Sequence, residues 1–126
     1  MTHTKRVFKS RSFDRWARGI LSDAMLCTAA GEVMAGQFEA DLGGGLCKKR
    51  IATAGRGKSG GTRTLIAKRH KGAIFFIAGR QKGDPGTDFS EKQEAAARLI
   101  AKGLQAASEQ KLVDLLVDGS IKEICT

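Results

Sequence analysis

The chain has 126 residues, enough for one domain with one core but not for two. Its composition, 41% apolar and 28% charged, is that of a folded globular protein and excludes a disordered one. The net charge of +9 is uneven: residues 1–82 carry 17 basic and 5 acidic side chains, residues 83–126 carry 5 and 8, so the first two thirds point to nucleic acid or another anionic surface as partner.

In chain order, Lys5–Lys9 (KRVFK) alternates like a short edge strand protected by lysine. Ser12 is expected to cap a first helix, with Phe13, Trp16, Ala17 and Ile20 on one apolar stripe and Arg11, Arg15 and Arg18 on the other side. Ser22 caps a second helix that buries Leu26, Ala29, Ala30, Val33 and Phe38. Gly43-Gly44-Gly45 then ends the helical hairpin and admits a meander of three β-type runs, Leu46–Ala52, Thr62–Lys68 and Ala73–Ala78. The last run, AIFFIA, is apolar on both faces and belongs at the centre of a sheet. After the turn Gly83-Asp84-Pro85-Gly86, Ser90 and Gln93 form a capping-box pair that opens a third helix with Ile100, Leu104 and Ala107 on its stripe. Ser108 caps a fourth helix carrying Leu112, Leu115 and Leu116, Gly119 ends it, and Ile121–Cys125 closes the chain as a strand. Residues 1–126 read as a single α+β domain: an antiparallel sheet with the helices on one face.

Between Asp41 and Asp84 stand eleven Lys or Arg residues and no acid, which marks the meander as a polyanion surface. Two familiar motifs fall inside it and both fail. Ala52–Ser59 (ATAGRGKS) matches a relaxed Walker A pattern and Gly55–Gly60 (GRGKSG) matches GxGxxG, but each needs a helix to follow, and Gly-Gly-TRTLIA reads as strand. Arg56 and Lys58 in this glycine-rich connection are better read as clamps on phosphate that select no nucleotide. His70 reads as a solvated turn histidine, and the nearest carboxylates, Asp41 and Asp84, only bracket the basic stretch. Cys27, Cys47 and Cys125 are odd in number and lack CxxC spacing, so three reduced cysteines, no metal site and no cofactor are expected. The longest apolar run is too short to span a bilayer and the N-terminus has no signal core, so a cytoplasmic protein without membrane partner is expected.

The run GGGLCKKRIATAGRGKSGGTRTLIA, with FFIAGRQK, the Ser-capped helix, the WARGILSD segment and the closing IKEI, resembles the RelE/HigB-type toxins of bacterial toxin–antitoxin pairs over nearly the whole chain. Its most specific part is GLxKxRxA…GxGKxGGxR, which carries Lys48, Arg50, Lys58, Gly60, Gly61 and Arg63; Lys82 keeps a family lysine position. The resemblance implies a compact RelE-like fold and a ribosome-dependent endoribonuclease that cuts mRNA. It also implies a cognate antitoxin, itself DNA-binding, as partner beside mRNA on the ribosome. The tyrosine common after the central strand in that family is missing, because the chain contains no Tyr.

Such chemistry does not require histidine. Clustered cations favour the anionic transition state of attack by a ribose 2′-OH and draw a neighbouring lysine toward base function. Lys48 and Arg50 lie two apart on one strand face, and Arg63 on the next strand completes the cluster. Arg50 and Arg63 are therefore the expected phosphate clamps and Lys48 or Lys82 the proton-transfer group. Lys49, Arg56, Lys58 and Arg80 are the expected RNA contacts. The alternatives are a non-catalytic RNA- or DNA-binding module, an inactive phage-derived protein of the same fold, or plain solvated surface cations.

Overall fold

A computed structural model describes residues 5–53, 57–86 and 88–126, with only the backbone of residues 57–60. Six strands and four helices follow in the order β1 (Arg6–Ser10), α1 (Arg11–Ala17), α2 (Asp23–Met34), β2 (Ala40–Gly43), β3 (Leu46–Thr53), β4 (Gly57–Ala67), β5 (Ala73–Gln81), α3 (Glu91–Gln105), α4 (Glu109–Val117) and β6 (Ile121–Ile124). The strands form one sheet in the order β2-β3-β4-β5-β1-β6. All neighbouring pairs are antiparallel except β1 and β5, which run parallel. The α+β class and the central place of AIFFIA hold. The sheet is mixed rather than antiparallel because the chain enters through β1 and returns beside it only after two helices and three strands.

Helices cover both faces, not one. Val7, Cys47, Ile51, Ile66, Ile74 and Phe76 face α1 and α2 and pack with Phe13, Ala17, Leu26, Ala29, Ala30 and Val33. Phe8, Leu46, Leu65, Ala67, Ala73, Phe75 and Ile77 face α3 and α4 and pack with Ala97, Ala101 and Leu112. Adjacent residues of a strand point to opposite faces, so a central strand apolar at every position, as Ala73–Ile77 is, requires two covers. Val7 and Phe8 are both buried for the same reason, which makes β1 an interior strand instead of an edge.

The helix boundaries shift in small, explicable ways. Ser10, not Ser12, caps α1 by accepting a hydrogen bond from the Phe13 N–H at 3.1 Å, so the helix follows β1 without a loop. Ser22, Ser90 and Ser108 cap α2, α3 and α4, and the Ser90–Gln93 capping box is formed in full. Ile100 and Leu99 of α3 turn outward, at 50% and 73% exposure, while Ala97 and Ala101 face the sheet. Small residues on this stripe let the helix sit close to the strands.

Glycine serves close approach at two places that matter here. A Cβ on Gly79 would overlap the Trp16 ring, and one on Gly61 would overlap the Ile51 carbonyl. The second lies at the irregularity in the β3–β4 register between Ile51 and Thr53. Gly61 thus admits the neighbouring strand rather than a ligand. Gly57–Gly61, expected as connection, belongs to β4, and no helix begins at Ser59.

Cys27 and Cys125 form a disulfide that ties α2 to the end of the chain, so the expected set of three reduced cysteines becomes one. The cause is tertiary: β6 lies beside β1, and this brings the C-terminus under α2. The remaining thiol, Cys47, is buried, and burial pushes its pKa up to about 12.

Candidate nucleic-acid interface

Strand register places the cations. Arg50 of β3 is directly opposite Arg63 of β4, which is directly opposite Arg80 of β5. Paired residues share a face, so three arginines form one rung across three strands on the side of α3. Lys48, two residues before Arg50, shares that face, in the next rung with Leu65 and Ala78. The rung sits where the apolar cover stops: Leu46 and Leu65 are buried, Lys48, Arg50 and Arg63 only partly so. Like charges placed directly opposite destabilise a sheet. Arg50 facing Arg63 is not a pairing that folding favours.

The surroundings separate these side chains. Among the described residues, no hydrogen bond or ion pair of the Arg50 guanidinium is present, while its backbone N–H donates to Glu39 Oε1 at 2.6 Å. Arg63 lies near enough to Asp88 for its charge to act on that carboxyl. Lys48 is paired: its Nζ lies 2.5 Å from Asp88 Oδ2 and 3.8 Å from Glu94 Oε2. Burial pushes the Asp88 carboxyl up, but the Lys48 hydrogen bond, the Phe89 N–H and the charges of Lys48 and Arg63 outweigh it and hold the group below its ordinary value.

Arg80 is buried, and its guanidinium donates to the backbone carbonyls of Asp84, Pro85, Gly86 and Asp88. It shapes the connection between β5 and α3 from inside rather than presenting charge to solvent. Lys82 is exposed just past the end of β5. Lys49 points to the opposite face, is almost fully buried, pairs with Glu32 at 3.0 Å and donates to the Gln37 carbonyl. Alternation along the strand separates it from Lys48. Arg56 and the side chain of Lys58 lie outside the described residues.

Two acids that the sequence assigns only to the start of the third helix also reach this surface. Asp88 and Glu94 stand near the N-terminus of α3, where acids suit the positive end of a helix. Because α3 covers β3, β4 and β5, its first turn lands on the strand ends that carry the cations, and the two acids reach Lys48. His70 also departs from expectation: it is buried, accepts from the Gly72 N–H at Nδ1, and its Nε2 lies 3.0 Å from the Ala107 carbonyl. It is a structural link from a turn to the end of α3, remote from the arginine rung.

The family model of the RelE toxin of the RelE/RelB toxin–antitoxin system matches residues 5–124. The chain belongs to the RelE toxin family. It is by that membership the toxin of a toxin–antitoxin system, and membership implies an antitoxin partner. No curated protein matches the chain. Among the described residues of this RelE-family toxin, no group of three or more His, Cys, Asp or Glu is arranged to hold a metal ion, and no helix is long and apolar enough to cross a membrane.

Proposed function

We propose that this RelE-family toxin is a metal-independent endoribonuclease that cuts mRNA on the ribosome and is held inactive by a DNA-binding antitoxin. The observation that carries the reading is Arg50 directly opposite Arg63 across β3 and β4, with Lys48 beside them on the same face. In the reaction, the ribose 2′-OH gives up its proton to Lys82 acting as base, and its oxygen bonds to the neighbouring phosphorus. The bond from phosphorus to the 5′-oxygen breaks, and that oxygen takes up a proton. Negative charge grows on the non-bridging oxygens, where Arg50 and Arg63 offer paired N–H donors in the geometry of a phosphate. In this reading the Lys48 ammonium next to the clamp gives its proton to the 5′-oxygen, and exposed Lys82 takes the proton of the 2′-OH. With no tyrosine in the chain, stacking of the base on a phenol ring is not part of this mechanism.

The experiment adds purified protein to a translating extract and follows mRNA length, with free RNA and salt as further variables. Shortening that requires translation supports the reading. Tight RNA binding without cutting would leave a binding module instead. Binding carried by phosphate contacts must weaken steeply as salt rises from about 50 to 200 mM, because each contact releases a counterion.

A further inference from the structure

Arg80 is buried, although a guanidinium is costly to bury without partners. Its partners are four carbonyls of a single connection, Asp84, Pro85, Gly86 and Asp88. Their effect is to fix where that connection runs. At its end the Asp88 carboxylate accepts from the Phe89 N–H at 2.7 Å and from Lys48 Nζ at 2.5 Å. The Lys48 side chain is 14% exposed and that of Asp88 38%, so the pair is sheltered on the lysine side and differs from the fully solvated contacts that contribute almost nothing. Without Asp88, Lys48 would stand beside Arg50 and Arg63 with Glu94, at 3.8 Å, as its nearest counter-charge.

We propose that Asp88 is a positioning residue of the anion site, holding the Lys48 ammonium beside the Arg50–Arg63 rung, and that Arg80 is the clamp that sets Asp88. Only the catalytic consequence rests on the reading of this face as an RNA-cleaving site. The placement of Lys48 stands apart from it.

Two measurements separate these levels. The first is the ¹⁵N-detected ammonium signal of Lys48, which is visible when the group is held and sheltered. It is expected in the parent protein and expected to vanish in Asp88→Asn and in Arg80→Lys, with Arg80→Ala as the stronger variant if it folds. A signal that survives Asp88→Asn, or that survives both Arg80 variants, overturns the proposal. The second is a double-mutant cycle in kcat for mRNA cleavage. Asp88→Asn should slow cleavage by up to about 10²-fold, the scale of a small misplacement in a site. Adding Arg80→Lys to Asp88→Asn should cost little more, since one acts through the other. Fully additive losses would show that Arg80 does not work through Asp88. A parent protein that cuts no mRNA defeats the proposed activity, and the ammonium signal still decides the placement of Lys48.

Discussion

Arg63 is the middle of the rung, with an arginine on each side. If its guanidinium stabilises charge that grows in the transition state, Arg63→Ala slows mRNA cleavage on programmed ribosomes by roughly 10²–10³-fold. Arg63→Lys restores the charge but not the paired donors, so only part of the rate returns. Circular dichroism under denaturant separates a loss of rate from a loss of fold. Asp14 has the opposite profile, because it holds the fold and not the site. Its carboxylate accepts from Lys9 at 2.7 Å, Lys122 at 2.9 Å and Arg18 at 3.1 Å. These hydrogen bonds, Lys9 first, hold its pKa far below the ordinary range against the opposing effect of burial. A folded-state pKa depressed in this way contributes stability that is fully present above the unfolded value, about 3.9. That stability is lost as pH falls toward the folded value. Urea midpoints should therefore drop below about pH 4, and Asp14→Asn should lower the midpoint at pH 7 while flattening the acid loss.

At the scale of elements, α1 meets β5 at one point that leaves no room for a side chain. The Trp16 ring lies on the backbone at Gly79, on the face opposite Arg63 and Arg80. Gly79→Ala should destabilise the protein by about 1–3 kcal/mol, the usual effect of overpacking. Trp16 is the only tryptophan, so its fluorescence reports the displacement directly. An unchanged spectrum and urea midpoint would mean that the ring yields freely. On the other side, α3 is tied to the β2–β3 turn by Arg98, which donates to the Leu42 carbonyl, and by Gln105, which donates to the Gly44 carbonyl and accepts from the Arg69 N–H. These ties set how far α3 covers the strands, and so where the cations emerge from beneath it.

Over the whole molecule, the Cys27–Cys125 disulfide closes a loop across a sequence separation of 98. It joins the start of the fold to its last residues, so the unfolded chain loses much of its freedom when it forms. Reduction should lower stability by about 2–4 kcal/mol, and Cys27→Ser should give the same loss and no further response to reductant. Equal urea midpoints with and without reductant would contradict this. The arginine rung lies on the face of α3, away from the disulfide, which is on the face of α2. Cleavage measured well below the melting range should therefore change little on reduction.

Local patterns along the chain were enough for every element except β2, for three of the four helix caps, the central strand and the cluster Lys48, Arg50 and Arg63. These depend on local rules: a serine before an apolar stripe, a fully apolar run, and two-residue alternation along a strand. The same alternation was enough to set Lys49 apart from Lys48, but only once the opposite face was known to be covered. The rest depends on contacts between distant residues. Register aligned Arg80 with Arg63 and buried it beneath a loop of carbonyls. The cover of α3 brought Asp88 and Glu94 onto Lys48. The parallel return of β5 beside β1 made β1 an interior strand, and the placement of β6 beside β1 brought Cys125 to Cys27. Sequence spacing reports which neighbours a residue has along its own element, whereas pairing across elements depends on how the sheet is ordered, and no local pattern in this chain encodes that order.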